Sequence, residues 1–340
     1  MSVSTSIVAG ARLGLARLAL GMLLAAQALL ALISAATLLA PWVWQADLLT
    51  FFRPHLLAAS LAMLLLALCT RHRRAILIAV AVALFNLWPL AVASAPSAPP
   101  SAPGAPTVRI MSANLLNRNP HKEAFRKTVQ EVRPDILVVQ EDVFAWPIAL
   151  DRLEGFPYKA SDLDDRLGAI DVLSRLPMKV TLIGAGPGGM KARRRRPVAV
   201  RAEIQVAPGD PPLVVYAIHP PSPRQLRYWH RRAATFAEIA RHIRSEPEGT
   251  PIVVAGDWNT PPWSPQFATF MGAAKLAAAE ALPWPAATRV FFVRGRELPQ
   301  WLGAPVDRLA VKGGVGTDGQ RSAPAFGSDH LPIYADLTLR

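Results

Sequence analysis

The stretch that decides the fold is residues 253–262, which read VVAGDWNTPP. An apolar, β-branched run at 252–255 predicts a buried strand, which ends on Gly-Asp-Trp-Asn. Side chains two residues apart on an extended backbone lie on one face, so Asp257 and Asn259 are expected to point at one spot. Trp258 is expected to point the other way, into the packing beneath. The stretch therefore predicts a strand end that presents one carboxylate and one amide to a ligand.

An apolar run that ends on a polar residue occurs four times after residue 107. Between these runs, the segments 121–132 and 223–244 have the composition of helices. Strands that alternate with helices predict a layered α/β or α+β domain. Such sheets bind ligands beyond their strand ends. The four runs end on Asn114, Glu141, His219 and Asp257.

The first 100 residues contain six arginines and one acidic residue, Asp47, among long apolar blocks. About 20 apolar residues suffice for a helix to cross a hydrocarbon core of roughly 30 Å. We therefore predict about three transmembrane helices, of which the second is short. The predicted spans begin after Arg17, near Pro54 and at Ala75.

The arginines that flank these blocks predict the orientation, because Lys and Arg near span ends remain cytoplasmic. Arg12 and Arg17 precede the first block, and three arginines at 71–74 separate the second block from the third. The prediction is a multi-pass protein of the bacterial inner (plasma) membrane, with everything after residue 95 on the periplasmic or extracellular side. The alternatives are a buried helical hairpin or a signal peptide cleaved at AVASA, 91–95, and three apolar blocks argue against a signal peptide alone.

Residues 94–106, SAPSAPPSAPGAP, contain five prolines among Ser, Ala and Gly. A segment of this composition stays extended and cannot form a core. We expect it to be a semi-rigid linker between a membrane-anchoring region, 1–93, and a second domain, 107–340.

Six segments of the second domain resemble, in order, the motifs of the endonuclease/exonuclease/phosphatase superfamily, which includes the DNase I-like nucleases. The resemblance spans about residues 108–340. It implies an α+β fold, a four-layered sandwich of two packed, mostly antiparallel sheets flanked by helices, here preceded by about three transmembrane helices. It also implies a divalent metal at one rim. The six segments are SANLLNRN, LVVQED, AIHPPSP, GDWNTPP, VDRLAV and GSDHLPI.

The resemblance implies a metal site for Mg²⁺ or Mn²⁺ on Asn114 and Glu141, with Asp329 as a possible further ligand. A phosphoester carries negative charge, so its hydrolysis needs a hard cation and a base that activates water. Mg²⁺ prefers a few carboxylate and carbonyl oxygens and retains several waters, which suits these residue types.

The resemblance also implies a catalytic set of five residues. His219 would donate to the phosphate, and Asn259 would donate to a phosphate oxygen or to the nucleophile. Asp307 would orient the imidazole of His330. Either His330 or Asp257 would be the general base, and the sequence leaves both open.

The segment RLGAIDVLSRLP, 166–177, resembles a strand of the same superfamily but departs from it at one position. Asp171 stands where an apolar residue is usual. A bulge, a shift of register or an extra acidic group near the site would account for it, and we favour a structural cause.

Residues 101–340 carry 31 Lys and Arg against 23 Asp and Glu, a net charge of about +8. The basic residues cluster in KARRRRP, 191–197, and in 224–244. Such clusters indicate a solvated or lipid-facing surface, or steering of a polyanionic substrate. Only Tyr228 and Trp229 interleave with the second cluster, which weakens a platform for single-stranded nucleic acid.

Together these features predict a membrane-anchored, metal-dependent phosphoesterase that cleaves a phosphodiester, or a phosphomonoester, by metal-assisted attack of water. The expected partners are the membrane and a phosphoester substrate, namely a phospholipid, a nucleic acid or a small phosphodiester; no protein partner is indicated. The alternative is a non-catalytic membrane-bound module that binds polyanions through the same fold. Site residues within about 10 Å of one centre would favour the enzyme, and scattered ones the binding module.

Overall fold

The computed structural model describes residues 2–92, 95–163, 169–184, 197–279, 287–293 and 295–339. The chain divides into two compact units, Met1–Ala93 and Ser94–Arg340. The first unit is helical, and the second contains two β-sheets with helices.

The first unit contains four α-helices and a short 3₁₀ turn, Thr37–Leu39. Three segments are long and apolar enough to cross a membrane: Gly14–Leu39, Arg53–Thr70 and Arg73–Ala91. The predicted number of apolar helices is therefore confirmed. The helices are α1 (Ser2–Ala36), α2 (Trp44–Thr50), α3 (Arg53–Thr70) and α4 (Arg73–Ala91).

A buried amide joins the three long helices. Asn86 on α4 donates through Nδ2 to Ser34 Oγ on α1 at 2.9 Å and to Ser60 Oγ on α3 at 3.2 Å. Between apolar helices, hydrogen bonds of this kind hold the packing together. Two further buried contacts add to it: Gln27 Nε2 donates to Ala75 O at 3.1 Å, and Arg53 Nη2 donates to Thr37 Oγ1 at 2.6 Å.

The first sheet of the second unit has the strand order β13-β15-β1-β2-β4-β3, with β14 also paired to β15. Among the strands that the structure describes in this sheet, β1 and β2 are the one parallel pair, and the other pairs are antiparallel. The strands are β1 (Thr107–Asn114), β2 (Ile136–Gln140), β3 (Tyr158–Lys159), β4 (Ile170–Ser174), β13 (Val315–Thr317), β14 (Arg321–Ser322) and β15 (Ile333–Leu339).

The second sheet has the order β5-β6-β7-β8-β12-β9, and a separate hairpin is formed by β10 and β11. Within the described residues, β7 and β8 are the one parallel pair of this sheet. The strands are β5 (Met178–Ile183), β6 (Ala199–Ile204), β7 (Leu213–Ile218), β8 (Ile252–Asp257), β9 (Ala277–Ala278), β10 (Phe292–Val293), β11 (Arg296–Glu297) and β12 (Asp307–Lys312).

Apolar faces pack the unit into four layers, which confirms the predicted sandwich. Side chains such as Val138 and Val253 meet between the two sheets. Helices α5 (Lys122–Val132) and α6 (Trp146–Asp151) cover the outer face of the first sheet. Helices α8 (Leu226–Ser245) and α9 (Pro265–Ala274) cover the second, and a short α7 (Ala160–Leu163) precedes β4.

The proline-rich segment is hydrogen-bonded to the edges of both sheets. Ala98 N–H donates to Ala278 O at 2.8 Å, and Ala278 N–H donates to Pro96 O at 2.7 Å. Thr317 N–H donates to Pro99 O at 2.8 Å. Proline cannot donate, but its carbonyl accepts, so an edge strand is the position a sheet tolerates for such a segment.

Asp171 lies in β4 in regular pairing with β2, opposite Val139, so the strand has neither the bulge nor the register shift that we favoured. Its side chain is buried, and Oδ1 accepts from the N–H groups of Ser161 at 3.1 Å and Val172 at 2.7 Å. Burial raises the pKa of Asp171 to about 6, although these hydrogen bonds oppose the shift. The acid thus lies on the helix-covered face of the sheet, where its charge acts on the pKa of the buried Asp142.

Candidate active site

Gly256 allows β8 to approach β7 where the site begins. Its φ is +149°, and a Cβ atom there would lie 1.9 Å from Ile218 O. No other residue fits this position without displacing the neighbouring backbone. The glycine of the Gly-Asp-Trp-Asn stretch therefore serves the packing of two parallel strands.

Asp257 and Asn259 meet, but through a turn rather than through strand alternation. Strand β8 ends at Asp257, and Asn259 has a left-handed φ of +49°. The N–H of Asn259 donates to Asp257 Oδ1 at 2.8 Å, and its Nδ2 donates to Asp257 Oδ2 at 3.1 Å. Such side chain to backbone turns are characteristic of Asp and Asn. Trp258 is fully buried against Phe267 and Phe270.

Four side chains from different parts of the chain surround one oxygen, Asp257 Oδ2. Asn114 Nδ2 lies 3.2 Å away and Asn259 Nδ2 lies 3.1 Å away. The Nε2 atoms of His219 and His330 lie 3.5 and 3.7 Å away. The ends of β1, β7 and β8 and the loop before β15 thus meet at one point.

Asp307 and His330 form a buried pair next to this point. His330 Nδ1 is 2.8 Å from Asp307 Oδ2, and the N–H of Asp307 donates to Thr288 Oγ1 at 3.0 Å. Asp307 is the first residue of β12, directly opposite Asp257 in register. One imidazole therefore lies between two carboxylates.

These contacts shift the pKa values of the cluster. Burial lowers the pKa of His330, but the charges of Asp307 and Asp257 outweigh it and raise the pKa to about 9. Burial acts to raise the pKa of Asp257, but the charge of His330 and the hydrogen bond from His219 hold it below its usual range. Near neutral pH, His330 is accordingly an imidazolium and Asp257 a carboxylate.

Glu141 lies beside this cluster at a half-buried position after β2, with a φ of +61°. Its Oε1 accepts from Asn114 Nδ2 at 3.2 Å, and its Oε2 accepts from the N–H of Asn117 at 3.1 Å. Among the described residues no cationic side chain pairs with Glu141. Asn114 presents its Nδ2 to Glu141, while its Oδ1 accepts from Leu116 N–H at 3.0 Å. A carboxylate that faces solvent without a cationic partner fits a hard divalent cation.

A second set of oxygens and nitrogens could also hold a metal ion. Ligand atoms of Asp257, Asp307 and His330 lie within 4.8 Å of one another. All three side chains are at most 3% exposed, and Nδ1 of His330 already faces Asp307. Because Mg²⁺ retains several waters, the half-buried Glu141 offers the better position for that ion.

Asp329 has a different side-chain partner from the converging residues, although its charge helps to raise the pKa of His330. Its Oδ2 pairs with Arg289 Nη2 at 3.3 Å, and its backbone O accepts from Val290 N–H at 2.9 Å. Adjacent residues face opposite ways in extended chain, so Asp329 and His330 diverge. The structure therefore brings together seven of the eight sequence-predicted site residues and leaves Asp329 in a separate ion pair.

Two residues that the sequence analysis missed hold the site in place. Ser328 Oγ donates to Asn114 O at 2.7 Å and accepts from His330 N–H at 3.1 Å. Arg232 is fully buried, and its Nη1 donates to Asn259 O at 2.6 Å. The signal for Arg232 is periodic: it lies three residues after Trp229 and four before Phe236, on the buried stripe of α8.

The basic clusters can be placed only in part. Residues 191–196 of KARRRRP lie outside the described residues. In the cluster 224–244, Arg232 is buried, whereas the other five arginines are exposed. The segment 224–244 therefore exposes five of its six arginines, as a basic surface requires, and buries Arg232.

Comparison with known proteins identifies the fold independently. Residues 111–330 match the sequence model of the Endonuclease/Exonuclease/phosphatase family. No curated protein matches the chain.

Several solved structures resemble the second unit. An endonuclease/exonuclease/phosphatase from Bacteroides vulgatus is 17% identical, with a TM-score of 0.53, over 69% of this chain and 99% of its own. The AP endonuclease LMAP from Leishmania major is 14% identical, with a TM-score of 0.54, over 75% and 98%. SmcL is 14% identical, with a TM-score of 0.51, over 70% and 100%. At these identities the likeness concerns the fold.

Proposed function

The chain belongs to the endonuclease/exonuclease/phosphatase family, whose members are hydrolases of phosphoester bonds, and we propose that it is a membrane-anchored, metal-dependent phosphodiesterase. The observation that carries the proposal is the convergence of four nitrogen-bearing side chains on Asp257 Oδ2 within 3.7 Å. Attack of water on phosphorus needs donors for the phosphoryl oxygens and a group that orients the water, and this cluster holds both kinds of group at one point.

Asp257 orients the attacking water and accepts its proton. Its carboxylate is ionised, and Asn114 and Asn259 hold it in one orientation. The pKa of His330 supports a different role for that residue, because an imidazolium cannot act as a base. His330 instead supplies positive charge to the phosphoryl oxygens, with Asp307 fixing its ring.

Asn114 and Glu141 would hold the divalent metal. When bound, it would neutralise phosphate oxygens and lower the barrier to attack by a negatively charged nucleophile. Asn117 supports this assignment, since its N–H fixes the second oxygen of Glu141. Asp329 is engaged by Arg289, so we propose that it orients that arginine rather than the metal.

Three helices that are long and apolar enough to cross a membrane support the proposed anchoring. We propose a topology with the N-terminus inside and the sandwich outside the cytoplasm, on the basis of the flanking arginines. The substrate is then a phosphodiester found at a membrane, and a phospholipid headgroup is the favoured class. The binding-only alternative is disfavoured, because none of the converging groups is missing.

The test is hydrolysis of bis-p-nitrophenyl phosphate by the full chain, with and without EDTA. We expect Glu141→Ala and His330→Ala to abolish turnover, and EDTA to do the same until Mg²⁺ or Mn²⁺ is restored. Matched controls are Glu131→Ala, an exposed glutamate, and His242→Ala, a histidine near the far end of α8. Turnover in the absence of metal would refute the mechanism, and so would retention of activity by Glu141→Ala or His330→Ala.

A further inference from the structure

Large apolar side chains are exposed beside the active site. Among the described residues of the second unit, eight such side chains are exposed, and six of these lie in three connections next to site residues. Scattered exposed apolar residues need no explanation, but their concentration around one site indicates a contact surface. The six are Phe144, Ile148, Leu226, Phe292, Val293 and Trp301.

The first connection follows Glu141. Phe144 is 66% exposed and has a φ of +60°, which is unusual for a bulky side chain. Arg118, also exposed, lies 5.3 Å above its ring, and Ile148 is exposed one turn later. Backbone strain of this kind concentrates at functional positions. The first connection thus exposes an aromatic ring and a guanidinium side by side.

The second connection follows His219 and leads into α8. Leu226 is 52% exposed at the start of the helix. Arg224, Arg227 and Arg231 are exposed around it, and Arg227 lies 4.6 Å above the ring of Tyr228. Like the first connection, the second therefore exposes an apolar side chain together with arginines.

The third connection lies between Arg289 and Asp307. Strand β10 exposes Phe292 and Val293; on β11 the exposed Arg296 lies opposite Val293, and the exposed Glu297 lies opposite Phe292. Trp301 follows with 72% of its surface exposed. The connection follows a segment that is hydrogen-bonded to the loop carrying His330, since Leu331 N–H donates to Thr288 O at 2.7 Å.

We propose that these three connections, hereafter the rim, dock the sandwich on an anionic bilayer surface. Apolar side chains enter the boundary between headgroups and acyl chains, while arginines bind lipid phosphates. Single-stranded nucleic acid fits less well, because Ile148, Leu226 and Val293 offer no ring on which bases stack. The inference rests on the proposed membrane anchoring, and it deepens the proposed function by placing the substrate in the lipid headgroup layer.

The experiment uses the full chain in lipid nanodiscs with an environment-sensitive fluorophore on single cysteines. The native Cys69 is first replaced in Cys69→Ser. Labels are placed by Phe144→Cys, Leu226→Cys and Val293→Cys, and the control is Tyr158→Cys, at the opposite end of β4 from the site edge. Brominated lipid should quench the three rim labels at least about twofold more than the control in discs with anionic lipid. Quenching should be weaker in phosphatidylcholine alone, because the arginines then lack their partners.

Rim labels that are quenched no more than the control would overturn the proposal. Protection of the same labels by a single-stranded oligonucleotide, with no effect of lipid, would overturn it in favour of nucleic acid. Hydrogen exchange of residues 143–148 in the unsubstituted chain gives a second measure, and exchange as fast in anionic as in neutral discs would also refute docking. Since neither readout needs turnover, an inactive chain with quenched rim labels would overturn the proposed function alone.

Discussion

Asp171→Asn is expected to stabilise the second unit at alkaline pH and to leave its stability unchanged at acidic pH. The folded pKa is about 6, whereas the value for an exposed aspartate is 3.8. Since the folded state disfavours the ionised form, ionisation of the unfolded chain pulls the equilibrium away from the native state as the pH rises from about 4 to about 6. Above that pH range Asp171 is ionised in both the folded and the unfolded state, so its destabilising contribution no longer changes with pH.

The size of the effect follows from the shift. Two pKa units correspond to about 3 kcal/mol. Asparagine cannot ionise, and its side-chain oxygen can still accept from the N–H groups of Ser161 and Val172. The buried neighbour Asp142 has a pKa raised to about 8 by burial and then by the charge of Asp171, so removing that charge adds to the gain.

Urea unfolding followed by tryptophan fluorescence measures this effect at about pH 8 and about pH 3.5. We expect a gain of about 3 kcal/mol at the higher pH and less than about 0.5 kcal/mol at the lower. The matched control is Asp210→Asn, an exposed carboxylate between β6 and β7, which should change stability little at either pH. An equal gain at both pH values, or a loss at about pH 8, would refute the reasoning.

Three further outcomes are expected. Asp307→Asn should lower kcat by about 10²–10⁴-fold with little change in KM, because the ring of His330 loses its anionic partner; steady-state kinetics with unchanged kcat would contradict this. Gly256→Ala should cost more than about 4 kcal/mol in urea unfolding, whereas Gly272→Ala, a helical glycine with open space around it, should not destabilise the unit. Asn86→Leu should weaken the helical unit by about 1 kcal/mol in detergent unfolding, and equal stability would show that its hydrogen bonds are dispensable.

Much of the fold could be predicted from local patterns. The apolar blocks of the first 100 residues indicated three helices, and the apolar runs after residue 107 indicated strands, because both signals depend only on neighbouring residues. The burial of Trp258 was also expected. The cause favoured for Asp171 was wrong, because a buried acid in regular pairing does not change the register of its strand.

The order of the polar strand ends indicated which residues to consider as site residues, and their catalytic and metal-binding roles remain predictions. The turn that joins Asp257 to Asn259 was expected to be extended strand, whereas the left-handed φ of Asn259 produces the contact. Arg232 was read as part of a basic surface, because charge alone does not distinguish a buried guanidinium from an exposed one.

The sequence by itself determined the division into an apolar helical region and a layered domain, four strands and two helices of that domain, and the residue types available for phosphoester chemistry. Only the tertiary structure decided that three nitrogen-bearing groups from distant segments join Asn259 around Asp257 Oδ2, that His330 lies between two carboxylates, and that Asp329 pairs with Arg289. The physical reason is the distance along the sequence over which each effect acts. Periodicity and turn chemistry act over a few residues, whereas protonation and metal affinity depend on burial and on charges brought together across the two sheets.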